Sequence, residues 1–355
     1  MKNKYFFFLF LMLFPAFLKA VLAQSKKERK YKEELWSEIS MALPNELPEV
    51  SDTMTVFCTL RKFSPTERRI FGDQPDSLKR MRYVLAIRKN NRWKLFLMSS
   101  MNEAASYLKK DKDIVFYIEG MGKTFTVNLY RSAGLSLQYG VNVIMFDYPS
   151  VSLSYKLMRN FNYARNNAIK SATNFVSFIT SIEKCKTENA LWIANKKTTL
   201  FLHSMGNNML KTAINDGLLK NKQDALFSSL VLNAPCVNQR KHRRWVDSIQ
   251  FAEKIYINYN THDFQLNGAM FRTFKKQLGA RINKPLSSKA YYVNFNEVAG
   301  KQHNVFLSRP GGPYIPNAAF NYYNAVFHGQ EIGWENPLVF SINKKKIGKS
   351  LKSNR

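Results

Sequence analysis

TTLFLHSMGNNMLKTAIND, residues 198–216, reads as three events in succession: an apolar run rich in β-formers, a turn that carries a serine, and a helix. In such a turn the chain reverses so sharply that the residues flanking the serine must be small, and only then does the hydroxyl stand clear of the backbone. Gly206 meets that demand after Ser204, whereas Leu202, two positions before it, does not. The stretch predicts a nucleophile elbow over His203, Ser204, Met205 and Gly206, with the bulk of Leu202 expected to widen it.

The segments around the elbow decide the class. DIVFYIEGMG (113–122) and VNVIMFDYPS (141–150) upstream, and FSSLVLNAP (227–235), EKIYINYNTHD (253–263) and AYYVNFNEV (290–298) downstream, are short and almost continuously apolar. Strands of that kind are buried on both faces, and helical segments such as NLYRSAGLSLQYG (128–140) and the long stretch 160–184 alternate with them. The pattern predicts an α/β fold with a mostly parallel central sheet and helices on both faces. TMTVFCTL (53–60), RYVLAIR (82–88) and WKLFLMSS (93–100), separated by polar turns, predict antiparallel N-terminal strands. No repeat or low-complexity linker divides the chain, so residues 46–340 are expected to form a single domain. The charged run NQRKHRRW (238–245) reads as a solvated loop at the carboxyl edge of the sheet.

A serine hydroxyl is a poor nucleophile until a base takes its proton and a third group fixes that base. Asp263 closes a strand in a turn-forming context, and His303 follows the last strand by the short loop VAGKQ. Ser204, Asp263 and His303 are therefore the catalytic candidates, in that chain order. His203 lies inside the elbow and is expected to point away from the reacting side, His242 falls in the basic run, and His262 abuts the acid. His328 precedes Gly329 and reads as a helix C-terminal charge, which leaves it the second choice of base. The amides of Met205 and Met121 are the candidates for an oxyanion hole, with Gly122 the alternative to Met121.

Taken together, FYIEGMG, FDYPS (Phe146 to Ser150), LHSMGN, Asn233-Ala234-Pro235, the Asp263 strand end and His303-Asn304-Val305-Phe306 resemble the α/β-hydrolase fold, and in detail the DUF900 family of serine-hydrolase-like proteins. The resemblance covers about two thirds of the chain. It implies an α/β-hydrolase sheet and acyl-transfer chemistry, and carries no substrate with it. Two departures stand out. Glu119 replaces the family's histidine before the loop glycine and is expected to repel an oxyanion unless it turns away or pairs with Lys123. Leu202 replaces the small residue of the elbow.

The chain opens with two lysines, an apolar run from Tyr5 to Leu18 and Val21-Leu22-Ala23, the form of a secretory signal peptide cleaved after Ala23. An uncleaved anchor is the alternative. An exported protein, periplasmic or secreted, is the expectation. Residues 24–45 read as a charged N-terminal lead and residues 341–355 as a basic tail without order. Lys and Arg number 54 against 25 acids, a formal net charge of +29. That imbalance favours an anionic membrane or envelope polymer as partner and makes nucleic acid the least favoured, because no groove-reading or base-stacking motif accompanies it. Cys58, Cys185 and Cys236 are odd in number and do not form a disulfide framework.

The leading expectation is an exported, esterase- or lipase-like serine hydrolase that cleaves a small-molecule or lipid ester, or a thioester, with no cofactor and no metal. The rival is a catalytically silent α/β-hydrolase-like protein that binds an anionic envelope polymer, a lipid surface or a protein partner. A peripheral lipid-surface protein acting through its basic tail is the third.

Overall fold

The computed structural model of the protein describes residues 35–353 apart from 52, 223–224, 309–313, 337–338 and 343–346. The expected signal peptide and the first part of the charged lead lie outside the described residues. In chain order the strands are β1 Ile39–Met41, β2 Thr53–Thr59, β3 Arg61–Phe63, β4 Phe71–Pro75, β5 Arg82–Lys89, β6 Arg92–Met98, β7 Ile114–Ile118, β8 Asn142–Asp147, β9 Thr198–His203, β10 Phe227–Asn233, β11 Ala252–Tyr259, β12 Ala290–Asn294, β13 Phe340–Ile342 and β14 Lys349–Leu351. Between them run the helices α1 Met101–Ser106, α2 Phe125–Tyr139, α3 Leu157–Lys170, α4 Ala172–Thr187, α5 Asn207–Asn215, α6 His242–Asp247, α7 Phe264–Thr273, α8 Asn296–Ala299 and α9 Asn317–Phe327.

Among the described residues, twelve strands form one sheet in the order β1-β6-β5-β2-β8-β7-β9-β10-β11-β12-β14-β13, and β3 pairs with β4 apart from it. The strands from β8 to β12 are parallel, while β5 runs antiparallel to both β2 and β6. Alternate residues of the central strands feed two apolar layers, as burial on both faces demands. Phe116, Ile118, Leu200, Leu202, Leu230 and Leu232 pack with α4 and α5 on one face. Val115, Tyr117, Met145, Phe201 and Val231 pack with α2 and α9 on the other. Phe201 sits against Tyr117, Phe306, Tyr323 and Phe327. Replacing it by Ala is expected to cost about 3–5 kcal/mol, and would loosen the loop that holds His303.

The sheet order sets the site. From β7 the chain passes through α2 to β8 on one side, whereas β9 lies on the other side of β7. The loops after β7 and β9 therefore leave in opposite directions, and the crevice between them is where ligands bind in open α/β sheets. The β7 loop is Glu119-Gly120-Met121-Gly122, and the β9 loop is the elbow.

Several expectations are corrected here. The lead is not separate up to residue 45, because Leu35, Trp36 and Ile39 are buried and β1 pairs in parallel with β6. The tail is ordered where β14 joins β12 in parallel and β13 antiparallel. A sheet edge offers unpaired backbone groups, and these order a short polar strand that has no apolar period to reveal it. The long helical stretch is two helices that meet at Ser171. The basic run is in part α6, with His242, Trp245 and Val246 buried.

Candidate active site

Ser204 adopts φ +51, a left-handed conformation that costs an L-residue about 1–2 kcal/mol. Neighbouring amides hold it there. Asn207 Nδ2 donates to the carbonyls of Leu202 and Ser204, each at 3.0 Å, and the Cys236 amide donates to the Ser204 carbonyl at 3.0 Å. Asn208 Nδ2 ties the Met205 carbonyl (3.1 Å) to that of Cys236 (2.9 Å). The two asparagines after the glycine are thus part of the elbow, a role that the sequence reading missed.

Leu202 does not widen the turn. Its side chain points down into the apolar layer, in register with Ile118 and Leu232. The space comes from two glycines instead. A Cβ on Gly120 would stand 2.8 Å from Ser204 Cβ, and one on Gly206 would stand 2.8 Å from Ile118 Cγ2 and 2.9 Å from the Glu119 carbonyl. Gly120, on the facing loop, thereby supplies the clearance that Leu202 lacks.

Asp263 is the N-cap of α7. Its Oδ1 accepts from the Leu266 amide at 3.0 Å, and its Oδ2 lies 2.6 Å from His303 Nδ1. A carboxylate only accepts, so Nδ1 of His303 carries the proton and Nε2 is left with its lone pair. The helix cap fixes the carboxylate, the carboxylate fixes the imidazole tautomer, and the structure brings these two candidates together. His203 does not point away, as expected, but lies beside the proposed base, with the two ring centroids 4.7 Å apart.

His203 belongs to a polar row along the carboxyl edge of the sheet. Asn233 Oδ1 accepts from Tyr323 Oη (2.6 Å) and Asn258 Nδ2 (3.1 Å), so its Nδ2 donates to His203 Nδ1 at 3.0 Å. His203 then carries its proton on Nε2, toward Glu119 Oε1 at 3.7 Å. Burial holds the His203 imidazole well below its ordinary pKa, against the pull of Glu119, so it stays neutral next to His303.

Glu119 pairs with Arg131 of α2 rather than with Lys123, and also takes hydrogen bonds from Tyr117 Oη and, at 2.8 Å, from the Gly120 amide. Burial alone would raise its pKa. The Arg131 guanidinium, with Lys123 behind it and the Tyr117 hydroxyl donating, outweighs that and holds the carboxyl well below the usual range. Its charge is therefore engaged beneath the loop. A charge that closes an apolar strand needs a partner, and Arg131 on the buried side of α2 was the available signal.

The loop amides can be assigned one by one. Gly120 donates to Glu119, Gly122 to the Ser150 carbonyl at 2.9 Å, and Lys123 to Ser150 Oγ at 3.2 Å. The Gly122 amide is therefore engaged, which leaves those of Met121 and Met205 as the candidates for an oxyanion hole. Met121 and Phe161 border a small apolar cluster that includes Met205, Ala234, Cys236 and Leu266.

His328 and His242 are occupied elsewhere, and His262 is exposed. His328 bridges Asp113 Oδ2 (2.8 Å) and the Tyr139 carbonyl (2.9 Å) at the opposite edge of the sheet. His242 binds Tyr292 Oη at 2.8 Å and the Gln239 carbonyl at 3.1 Å. The three cysteines are buried and unbonded, and burial followed by the nearby Asp263 charge pushes the Cys236 thiol up to about 12. Among the described residues no helix is long and apolar enough to cross a membrane, and no three His, Cys, Asp or Glu side chains are grouped to hold a metal.

The profile of a family of α/β hydrolases of unknown function, DUF900, matches residues 98–268, slightly less than half of the chain. With the strand order and the elbow already described, this identifies the protein as having the α/β-hydrolase fold, and as similar to that family over a stretch that holds Glu119, Ser204 and Asp263 but not His303. Among solved structures, the monoclinic form of a Pyrobaculum calidifontis esterase is 13% identical, with 88% of each chain covered and a TM-score of 0.33. No curated protein matches the chain.

Proposed function

We propose that the protein is a serine hydrolase that cleaves an ester or thioester through an acyl-enzyme on Ser204, and that it is exported by its N-terminal segment. The observation that carries the reading is the Asp263–His303 pair at 2.6 Å beside an elbow that holds Ser204 at φ +51. Ser204 Oγ attacks the carbonyl carbon as His303 Nε2 takes its proton. The Met205 and Met121 amides stabilise the oxyanion. The tetrahedral intermediate expels the alcohol or thiol, which receives the proton from His303. Water, deprotonated by the same nitrogen, then frees the acid.

The test is covalent labelling of the purified protein with a fluorophosphonate, beside Ser204→Ala, with the modified peptide identified by mass spectrometry. An adduct on Ser204 that the variant loses is the expected result. A folded wild-type protein without an adduct would replace this reading with that of a catalytically silent binder.

A further inference from the structure

Helix α7 leaves the site at Asp263 and ends in a tip whose sequence is Phe271-Arg-Thr-Phe-Lys-Lys-Gln277. Phe274 is 94% exposed and sits at φ +52 as the left-handed cap of the helix. An aromatic residue in that conformation is a genuine outlier, since glycine or asparagine normally takes the position. The tip is nevertheless tightly built. Thr273 Oγ1 accepts from the Lys275 amide (3.3 Å) and from Gln277 Nε2 (3.0 Å), and Gln277 Nε2 also donates to the Lys275 carbonyl at 2.6 Å. The Gln239 amide anchors the tip from outside by donating to the Lys276 carbonyl at 3.0 Å.

Cations neighbour this tip. Arg272, Lys275 and Lys276 flank Phe274 in sequence and are exposed, and Lys211 of α5 lies within electrostatic reach of Lys275 and of Arg165 of α3. Lys211 is half-buried with its Nζ on the Asn238 carbonyl at 3.4 Å; burial, then Lys275 and Arg165, hold its ammonium below the ordinary range. No carboxylate among the described residues forms an ion pair with any of these five. Three elements thus bring like charges together at a tip that presents an exposed apolar ring.

We propose that the Phe274 tip docks the protein on an anionic lipid bilayer, with the ring entering the acyl boundary and Arg272, Lys275, Lys276, Lys211 and Arg165 meeting the headgroups. A dissolved acidic polymer would satisfy the charges but would leave the ring in water. Only an interface rewards both. Because α7 starts at Asp263, the docked surface adjoins the carboxyl edge of the sheet. The inference does not depend on chemistry at Ser204.

Flotation of the full chain with vesicles of phosphatidylcholine alone, or of phosphatidylcholine and phosphatidylglycerol in equal parts, tests it. Binding is expected on the anionic vesicles, weak on the neutral ones, and reduced by salt. Phe274→Ser is expected to lower the partition coefficient about tenfold, and Lys275→Gln with Lys276→Gln about tenfold or more, both with unchanged melting temperature because the sites are exposed. Phe274→Trp should retain binding, with its indole emission shifting to the blue on anionic vesicles. No binding, an unshifted emission, or equal and salt-independent binding by every variant would overturn the proposal. Loss of binding in the lysine variant but not in Phe274→Ser would overturn it in favour of a charge-only partner.

Discussion

Two arginine–carboxylate pairs stand buried at the carboxyl ends of neighbouring strands, and they are built for different ends. At the end of β8, Asp147 takes Arg61 on both oxygens (2.8 and 3.0 Å), together with Thr59 Oγ1 and Asn128 Nδ2, each at 2.8 Å. Arg61 also donates to the carbonyls of Tyr148 (3.2 Å) and Lys123 (2.9 Å). The partners of that carboxylate are side chains from β2, β3 and α2, so the pair clamps these elements to β8. Just past the end of β7, Glu119 is shared among Arg131, Tyr117 and its own loop, and its free side faces His203 and, through it, His303. The same chemical device serves as a rivet in one place and as a source of fixed field in the other. Burying an ion pair is not in itself stabilising, so what a pair does depends on what its unshared side faces.

That contrast can be broken in graded steps. The largest effect falls outside both pairs. Under the proposed chemistry His303→Ala lowers the fluorophosphonate labelling rate of Ser204 by about 10³-fold or more, read by the time course of adduct formation, with little change in melting temperature. Arg61→Ala leaves Asp147 buried without its counter-ion and is expected to cost about 3–5 kcal/mol in urea denaturation, while the folded fraction is labelled at the wild-type rate. Glu119→Gln leaves Arg131 unpaired and destabilises by roughly 3 kcal/mol. Unlike Arg61→Ala it also slows labelling per folded molecule, by roughly tenfold, because a charge of this kind contributes on the order of 1–2 kcal/mol to a forming imidazolium. Equal labelling in the two variants would erase the distinction drawn between the pairs.

The smallest effect is one of pH. The folded pKa of His203 lies below its unfolded value near 6.5, so the unfolded chain binds the proton first. Its contribution is complete above about pH 6.5 and is lost as the pH falls toward the folded value, with a slope of about 1.4 kcal/mol per pH unit. Denaturation curves at pH 7.5, 6.0 and 5.0 should show this loss, and His203→Gln should flatten it. Glu119 has the same sign, but its loss begins only below its unfolded value near 4.3, so the two are separable.

How much of this was legible varied with the range of the interaction. The alternation of buried strands and helices, the elbow, and the strand-end position of Asp263 were readable, since each depends on a local period or on chain order; His303, expected directly after the last strand, instead follows β12 by way of α8, and β13 and β14 come later. The clearance at Ser204 was misread because the sequence offered only Leu202, its own neighbour, whereas the glycine that matters is Gly120 on another strand. The partner of Glu119 was out of reach for the same reason: Lys123, the one cation the sequence offers beside it, is close along the chain, whereas Arg131 is close in space. Gly122 looked free as a donor until Ser150 came to lie under its amide. The tail looked unstructured because β14 owes its order to the backbone of β12, which no side-chain pattern reports. By itself, then, the sequence determined the class of sheet, the turn that carries a serine, and the order in which a carboxylate and an imidazole follow it, because burial and turn geometry act on neighbours along the chain. Only the tertiary structure decided which amides remain free, which arginine answers which carboxylate, and where a phenylalanine is left standing in water, because these depend on groups that meet only once the sheet has closed its long-range pairings.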